Sequence, residues 1–149
     1  MAALPAEQLP QPLDIVWAKF PYTEKPGQPG EVAHPALVFT TYEFRTGEFS
    51  IQVAFGTSKL KTEERPYDFR IQNFRDMQFA GLAQATRFDL DRIKYLPWDS
   101  DWFVSPAPQK YPSPVLGRLL DQPANRLRNI LRVRHDNGMS VPYRAPKQD

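Results

Sequence analysis

Cysteine is absent from this chain of 149 residues, which excludes disulfides and cysteine-based zinc sites and is the usage expected of a cytoplasmic protein. Histidine is scarce: His34 and His135 alone do not make a histidine metal site, and no cofactor is expected. No stretch approaches the roughly 18 to 20 apolar residues that a membrane-spanning helix needs, so no membrane partner is expected. The opening MAALPAEQLPQPLD has no positive charge followed by an apolar run, so it does not read as a secretory signal. A strong charge of one sign is also missing. The formal balance of +2 says little about partners. What is present is a globular composition, 41% hydrophobic and 13% aromatic, at the size of one domain with one core.

The charge is unevenly placed. From Leu116 onward Arg118, Arg126, Arg128, Arg132, Arg134, Arg144 and Lys147 face Asp121, Asp136 and Asp149, a balance of +4 that leaves −2 for the rest. Such a face attracts nucleic acid or an acidic partner, or is simply a solvated helix surface.

Residues 1–13 hold Pro5, Pro10 and Pro12 without periodicity and read as a flexible arm. Asp14 to Phe20 alternates, with Ile15, Trp17 and Lys19 one way and Val16, Ala18 and Phe20 the other, which predicts a strand. The segment PYTEKPGQPGEVA reads as a long exposed loop. Pro35 keeps His34 extended at the mouth of the next strand. That strand, ALVFT, is the unbroken apolar run of a strand buried on both faces. A turn at Gly47 leads to FSIQVAF, then to a polar loop, GTSKLKTEERP, and a short strand at Tyr67–Ile71. Asn73 to Ala80 is ambiguous between helix and loop. LAQATRF and DRIKYLPW read as two strand-like segments around an Asp-rich turn, DLD, and the chain is irregular from Asp99 to Pro112. Ser113-Pro114 is a plausible helix start, with Val115, Leu116, Leu119 and Leu120 on one face and Pro123 interrupting before Leu127, Ile130 and Leu131. The reading is one domain over 14–133 with a helix at about 113–133 and a frayed tail over 134–149. Many short strands and one terminal helical region favour a small barrel with an appended helix.

Three blocks then carry a resemblance: DIVWAKFPYTEKPGQPGEVAHPALVF, VAFGTSK and GLAQATRFDLDRIKYLPW, in this order from Asp14 to about Trp98. They resemble the MazF/PemK toxins, in which a strand of the type G-D-I-V-W-V-x-F leads through a Gly-rich loop into R-P-A-L-V-L. The resemblance implies a mainly β, SH3-like, partly open barrel, a homodimer, and an antitoxin protein whose tail covers the active site. It implies an endoribonuclease that cleaves single-stranded RNA without metal, through attack of the ribose 2′-OH on the adjacent phosphate. Such chemistry needs a base, an acid and donors for the phosphorane charge.

Carried onto this chain, Thr57 matches the family's hydroxyl position and His34 stands at its Arg position. An imidazole can shuttle protons near its ordinary pKa of about 6.5 but lacks the fixed guanidinium fork. Arg87 or Lys59 would then hold the phosphate. Gln84 matches an RNA-contacting position, and Thr86 and Arg87 follow it. Arg87 could equally pair with Asp89 or Asp91. Lys19 beside the loop and Gln28 within it complete the candidate RNA contacts. Lys25, Lys59, Lys61 and Arg65 could line a phosphate-tracking groove, with Tyr22 and Tyr67 as stacking faces. Trp17, Trp98 and Trp102 read as core or interface aromatics. Glu63–Glu64 and Asp99/Asp101 read as hydrated surface carboxylates. Two other functions stay open: a barrel without catalysis that binds a protein or nucleic acid, and a toxin that inhibits a protein such as a topoisomerase.

Overall fold

The computed structural model describes residues 3–60, 65–110, 112–142 and 146. It is mainly β: a six-stranded antiparallel half-barrel sheet with a C-terminal helix. The strands are β1 (Asp14–Ala18), β2 (His34–Glu43), β3 (Phe49–Thr57), β4 (Phe69–Ile71), β5 (Thr86–Pro97) and β6 (Val115–Arg118). Their order across the sheet is β4-β5-β3-β2-β1-β6. Two helices accompany them, α1 (Phe74–Ala80) and α2 (Asp121–Asp136).

Period-two alternation gives the sheet a core on each face. Ile15, Leu37, Ala54, Phe69, Phe88 and Leu90 pack on one side with Ala124 and Leu127 of α2. Val16, Ala18, Phe20, Ala36, Val38 and Val53 pack on the other with Trp98 and Phe103. The apolar run of β2 therefore is buried on both faces, as its composition predicts.

Several boundaries differ from the sequence reading: β1 ends at Ala18 and not at Phe20, β2 extends beyond ALVFT at both ends, β4 begins at Phe69 and not at Tyr67, and β5 begins at Thr86. The expected helix at 113–133 begins only at Asp121. Val115–Arg118 instead pairs with β1, through Asp14↔Arg118 and Ile15↔Gly117. The open edge of β1 offers these residues a ladder, and Gly117 weakens a helix there by roughly 0.5–1 kcal/mol. Gly117 also admits α1: a Cβ at this position would sit 2.2 Å from the carbonyl oxygen of Phe79. Pro123 falls in the first turn of α2, where its missing N–H has no intrahelical partner to lose.

At the other end the helix outlasts the expected fraying point. Arg134 is 1% exposed and binds Asp91, the carbonyl oxygens of Leu90 and Ser140, and that of Tyr67. The predicted Asp-rich turn at 89–91 is part of one continuous strand, β5. Leu90 is fully buried while Asp89 and Asp91 are held by arginines, so the chain has no reason to reverse. The N-terminal segment is docked: Leu4 N–H donates to the Trp98 carbonyl at 3.2 Å, and Trp98 Nε1–H donates to the Pro5 carbonyl at 3.1 Å. No helix among the described residues is long and apolar enough to cross a membrane.

Candidate functional site

Three strands reach the same end of the sheet. His34 opens β2, Thr57 closes β3 and Thr86 opens β5. β2 and β3 are in register at Ala36↔Phe55, and His34 and Thr57 each lie two residues beyond that pair. Gly56 makes the approach close. A Cβ on it would lie 2.4 Å from the Pro35 carbonyl oxygen, so only glycine fits.

A cleft of about 400 Å³ opens at this end, a size within the roughly 300–1,000 Å³ of small-molecule sites. His34, Thr57, Ser58, Gln84 and Thr86 supply its polar lining. Trp17, Pro35, Leu82, Pro106 and Leu116 supply an apolar wall. Residues distant along the chain are thus gathered into one concavity, and His34 is the one titratable side chain among its described lining residues.

Burial pushes the His34 imidazole below its ordinary pKa, and the charge of Arg92 pushes it further the same way. Both effects favour the neutral ring, the form able to accept a proton. Its edge packs on Phe55, with ring centroids 5.0 Å apart. Arg92 reaches the same aromatic: its Cζ lies 4.3 Å from the Phe55 centroid and 5.2 Å from that of Phe20, and one amino group donates to the Pro21 carbonyl. A bulge places it there. The β3–β5 register jumps from Phe55↔Asp89 to Ala54↔Ile93, so Leu90, Asp91 and Arg92 lie across from a single step of β3. Thr57 Oγ1 accepts the Lys59 N–H at 3.2 Å, and its own hydroxyl hydrogen has no partner among the described residues.

The other candidates divide sharply. Gln84 lines the cleft and is exposed. Thr86 lines it too but is buried, and its hydroxyl donates to the Gln84 carbonyl, so it shapes the wall. Lys59 is exposed beside Thr57 without lining the cleft. Lys19 and Gln28 do not line it either; Lys19 is half-buried beside the loop and Gln28 is exposed within it.

Arg87 and Arg65 correct the sequence reading. Arg87 is 9% exposed, donates to Asp68 at 2.6 Å and to the Lys59 carbonyl at 3.0 Å, and is not presented for phosphate. Its partner is Asp68; Asp89 and Asp91 instead engage Arg65, at 2.5 and 2.9 Å. Arg65 also binds Asp68 at 2.8 Å, and these carboxylates hold its pKa far above the ordinary guanidinium range. Of the residues expected along a lysine groove, Tyr22 and Tyr67 are exposed and do not line this cleft, and Lys61 lies outside the described residues, as do Glu63 and Glu64. Of the basic C-terminal residues, Arg134 is buried, Arg126 lies over the Phe69 ring, and Arg144 and Lys147 fall outside the described residues.

Sequence reasoning missed Trp17 and Leu116 as lining residues and Arg92 as the cation whose charge acts on His34. The aromatic at 17 was visible, but its orientation depends on the β1–β6 pairing that the helix reading concealed. Among the described residues no group of three or more His, Cys, Asp or Glu side chains is placed to hold a metal. Compared with known proteins, the chain matches no family model and no curated protein.

Proposed function

We propose that this chain is an SH3-like barrel of the MazF/PemK type, an endoribonuclease that cleaves single-stranded RNA in the strand-end cleft. The observation that carries the reading is the placement of His34 and Thr57 on one cleft of about 400 Å³. Neutral His34 accepts the proton of the ribose 2′-OH. The 2′-oxygen forms its bond to phosphorus as the bond from phosphorus to the 5′-oxygen breaks, leaving a 2′,3′-cyclic phosphate. The 5′-oxygen takes its proton from solvent. The free hydroxyl hydrogen of Thr57 meets a phosphoryl oxygen as charge develops. Exposed Lys59 beside Thr57 adds positive potential at the rim.

The same reading implies a homodimer, a cytoplasmic setting and an antitoxin protein whose acidic tail covers the cleft. Its test is incubation of a diverse single-stranded RNA pool with the protein under chelator. Cyclic-phosphate ends are expected, with the rate reduced about a hundredfold in His34→Ala and at least about tenfold in Thr57→Ala. An RNA pool that stays intact removes the enzymatic reading.

One observation favours a second reading. No arginine lines the cleft among the described residues, because Arg65 and Arg87 are held by carboxylates. A barrel that binds its partner there without cutting it would show association unaffected by His34→Ala.

A further inference from the structure

The apolar wall of the cleft has no part in the chemistry just described. Trp17 is the one aromatic residue of that wall among the described residues, and its setting is unlike that of the other tryptophans. Trp98 is 4% exposed within a core and its indole N–H is bound to Pro5. Trp102 packs against that same core. Trp17 belongs to neither core cluster, is half-buried, and its indole N–H has no partner among the described residues.

Its backbone is nonetheless fixed. β1 lies between β2 and β6, Trp17 is in register with Pro35, its N–H donates to the Pro114 carbonyl at 2.9 Å, and its carbonyl accepts from Val104 at 3.1 Å. Leu82, Pro106 and Leu116 are apolar residues that line the same cleft with Trp17 and Pro35. Gln84 and Ser58, both exposed, stand on the polar side with side-chain donors and acceptors unengaged among the described residues.

An aromatic side chain on a fixed backbone, apolar residues in the same lining, and amide and hydroxyl groups unengaged among the described residues suit a flat heteroaromatic ring with polar edges. We propose that this part of the cleft is a nucleobase slot, in which one unstacked base of a single-stranded ribonucleotide lies on Trp17 while its edge meets Gln84 and Ser58. Stacking of this kind tolerates any base, and edge contacts supply preference among bases. The inference rests on the cleft being an RNA site, but it concerns binding alone.

The test uses the full chain and an uncleavable 2′-O-methyl tetraribonucleotide, alongside an otherwise identical strand with one abasic position moved along it. Indole N–H resonances are assigned with Trp17→Phe. Addition of the intact strand is expected to shift the Trp17 resonance. Removing one particular base, or Trp17→Ala, weakens binding about tenfold to hundredfold, the loss of one base–aromatic stack. The two losses do not add, because each removes the same stack. Trp17→Phe, which keeps an aromatic face, retains most of the affinity and covers the case in which Trp17→Ala fails to fold.

Abasic strands that all bind like the intact one, or an unmoved Trp17 resonance, overturn the slot even if RNA is cleaved. Displacement of the strand from Trp17 by a proline-rich peptide of higher affinity overturns it in favour of a polyproline groove. Base-dependent binding with no cleavage of ordinary RNA leaves the slot standing and removes the enzymatic reading.

Discussion

Two polar regions share strand β5 and treat their polar groups in opposite ways. In its middle, Asp89 and Asp91 join Asp68, Arg65, Arg87 and Arg134 in a cluster where carboxylates and guanidinium groups alternate. Asp68 alone accepts from Arg65, Arg87 and the N–H of Leu90. At its start, the cleft holds an imidazole, hydroxyls and an amide with few partners. Of these two regions, the charged one is consumed by folding, and the cleft lining among the described residues carries no fixed charge. A buried ion pair holds because each member offsets the desolvation of the other, which also makes it a poor place to bind anything else.

The sharpest way to break this contrast is at Asp68. Asp68→Ala leaves Arg87 buried without its carboxylate, and unfolding in urea is expected to show a loss of about 3–5 kcal/mol. A loss below about 1 kcal/mol would place the cluster among weak surface pairs. His34→Ala should do the reverse, reducing RNA cleavage about a hundredfold, or about 2.7 kcal/mol in barrier, with little change in urea midpoint. A midpoint that falls in parallel would make His34 a packing residue.

The pH dependence separates the regions again. The folded state lowers the His34 pKa, so the unfolded chain binds more protons as the solution is acidified. The associated stability is present above about pH 6.5 and is lost as pH falls through the folded value. The acid limb of the cleavage rate should likewise have its midpoint below 6.5. Arg92→Gln removes the smaller of the two causes and is expected to move that midpoint upward, as read by NMR titration of the His34 ring. An unmoved titration would show that burial alone sets it. The smallest effect belongs to Lys59→Ala, which should weaken RNA binding uniformly across sequences and lower the salt slope by about one.

What the sequence made legible follows from the range of the interactions involved. The alternation of Val16 and Ala18 against Ile15 is local and marks both faces of β1, although the strand ends at Ala18 and not at Phe20. Val115, Leu116, Leu119 and Leu120 fit a helical stripe as well as a strand followed by a turn, and only the free edge of β1 decides between them. Gly117 within that stripe and Pro114 before it were the available signals. The fate of Arg87 was illegible because Asp68, its partner, lies on another strand and neighbours no obvious motif. No periodicity links His34, Thr57 and Gln84, and strand pairing over long range is what brings them to one cleft. Trp17 was visible as an aromatic, but whether it faced a core or a cleft depended on long-range pairing.

One more consequence lies in β5 itself, which opens on the cleft with Thr86 and carries Asp91, the carboxylate that clasps Arg134 near the end of the last helix. The edge of the cleft and the seat of the terminal helix thus both depend on the register of one strand, and a slip of one residue in that register would turn both sets of side chains to the opposite face.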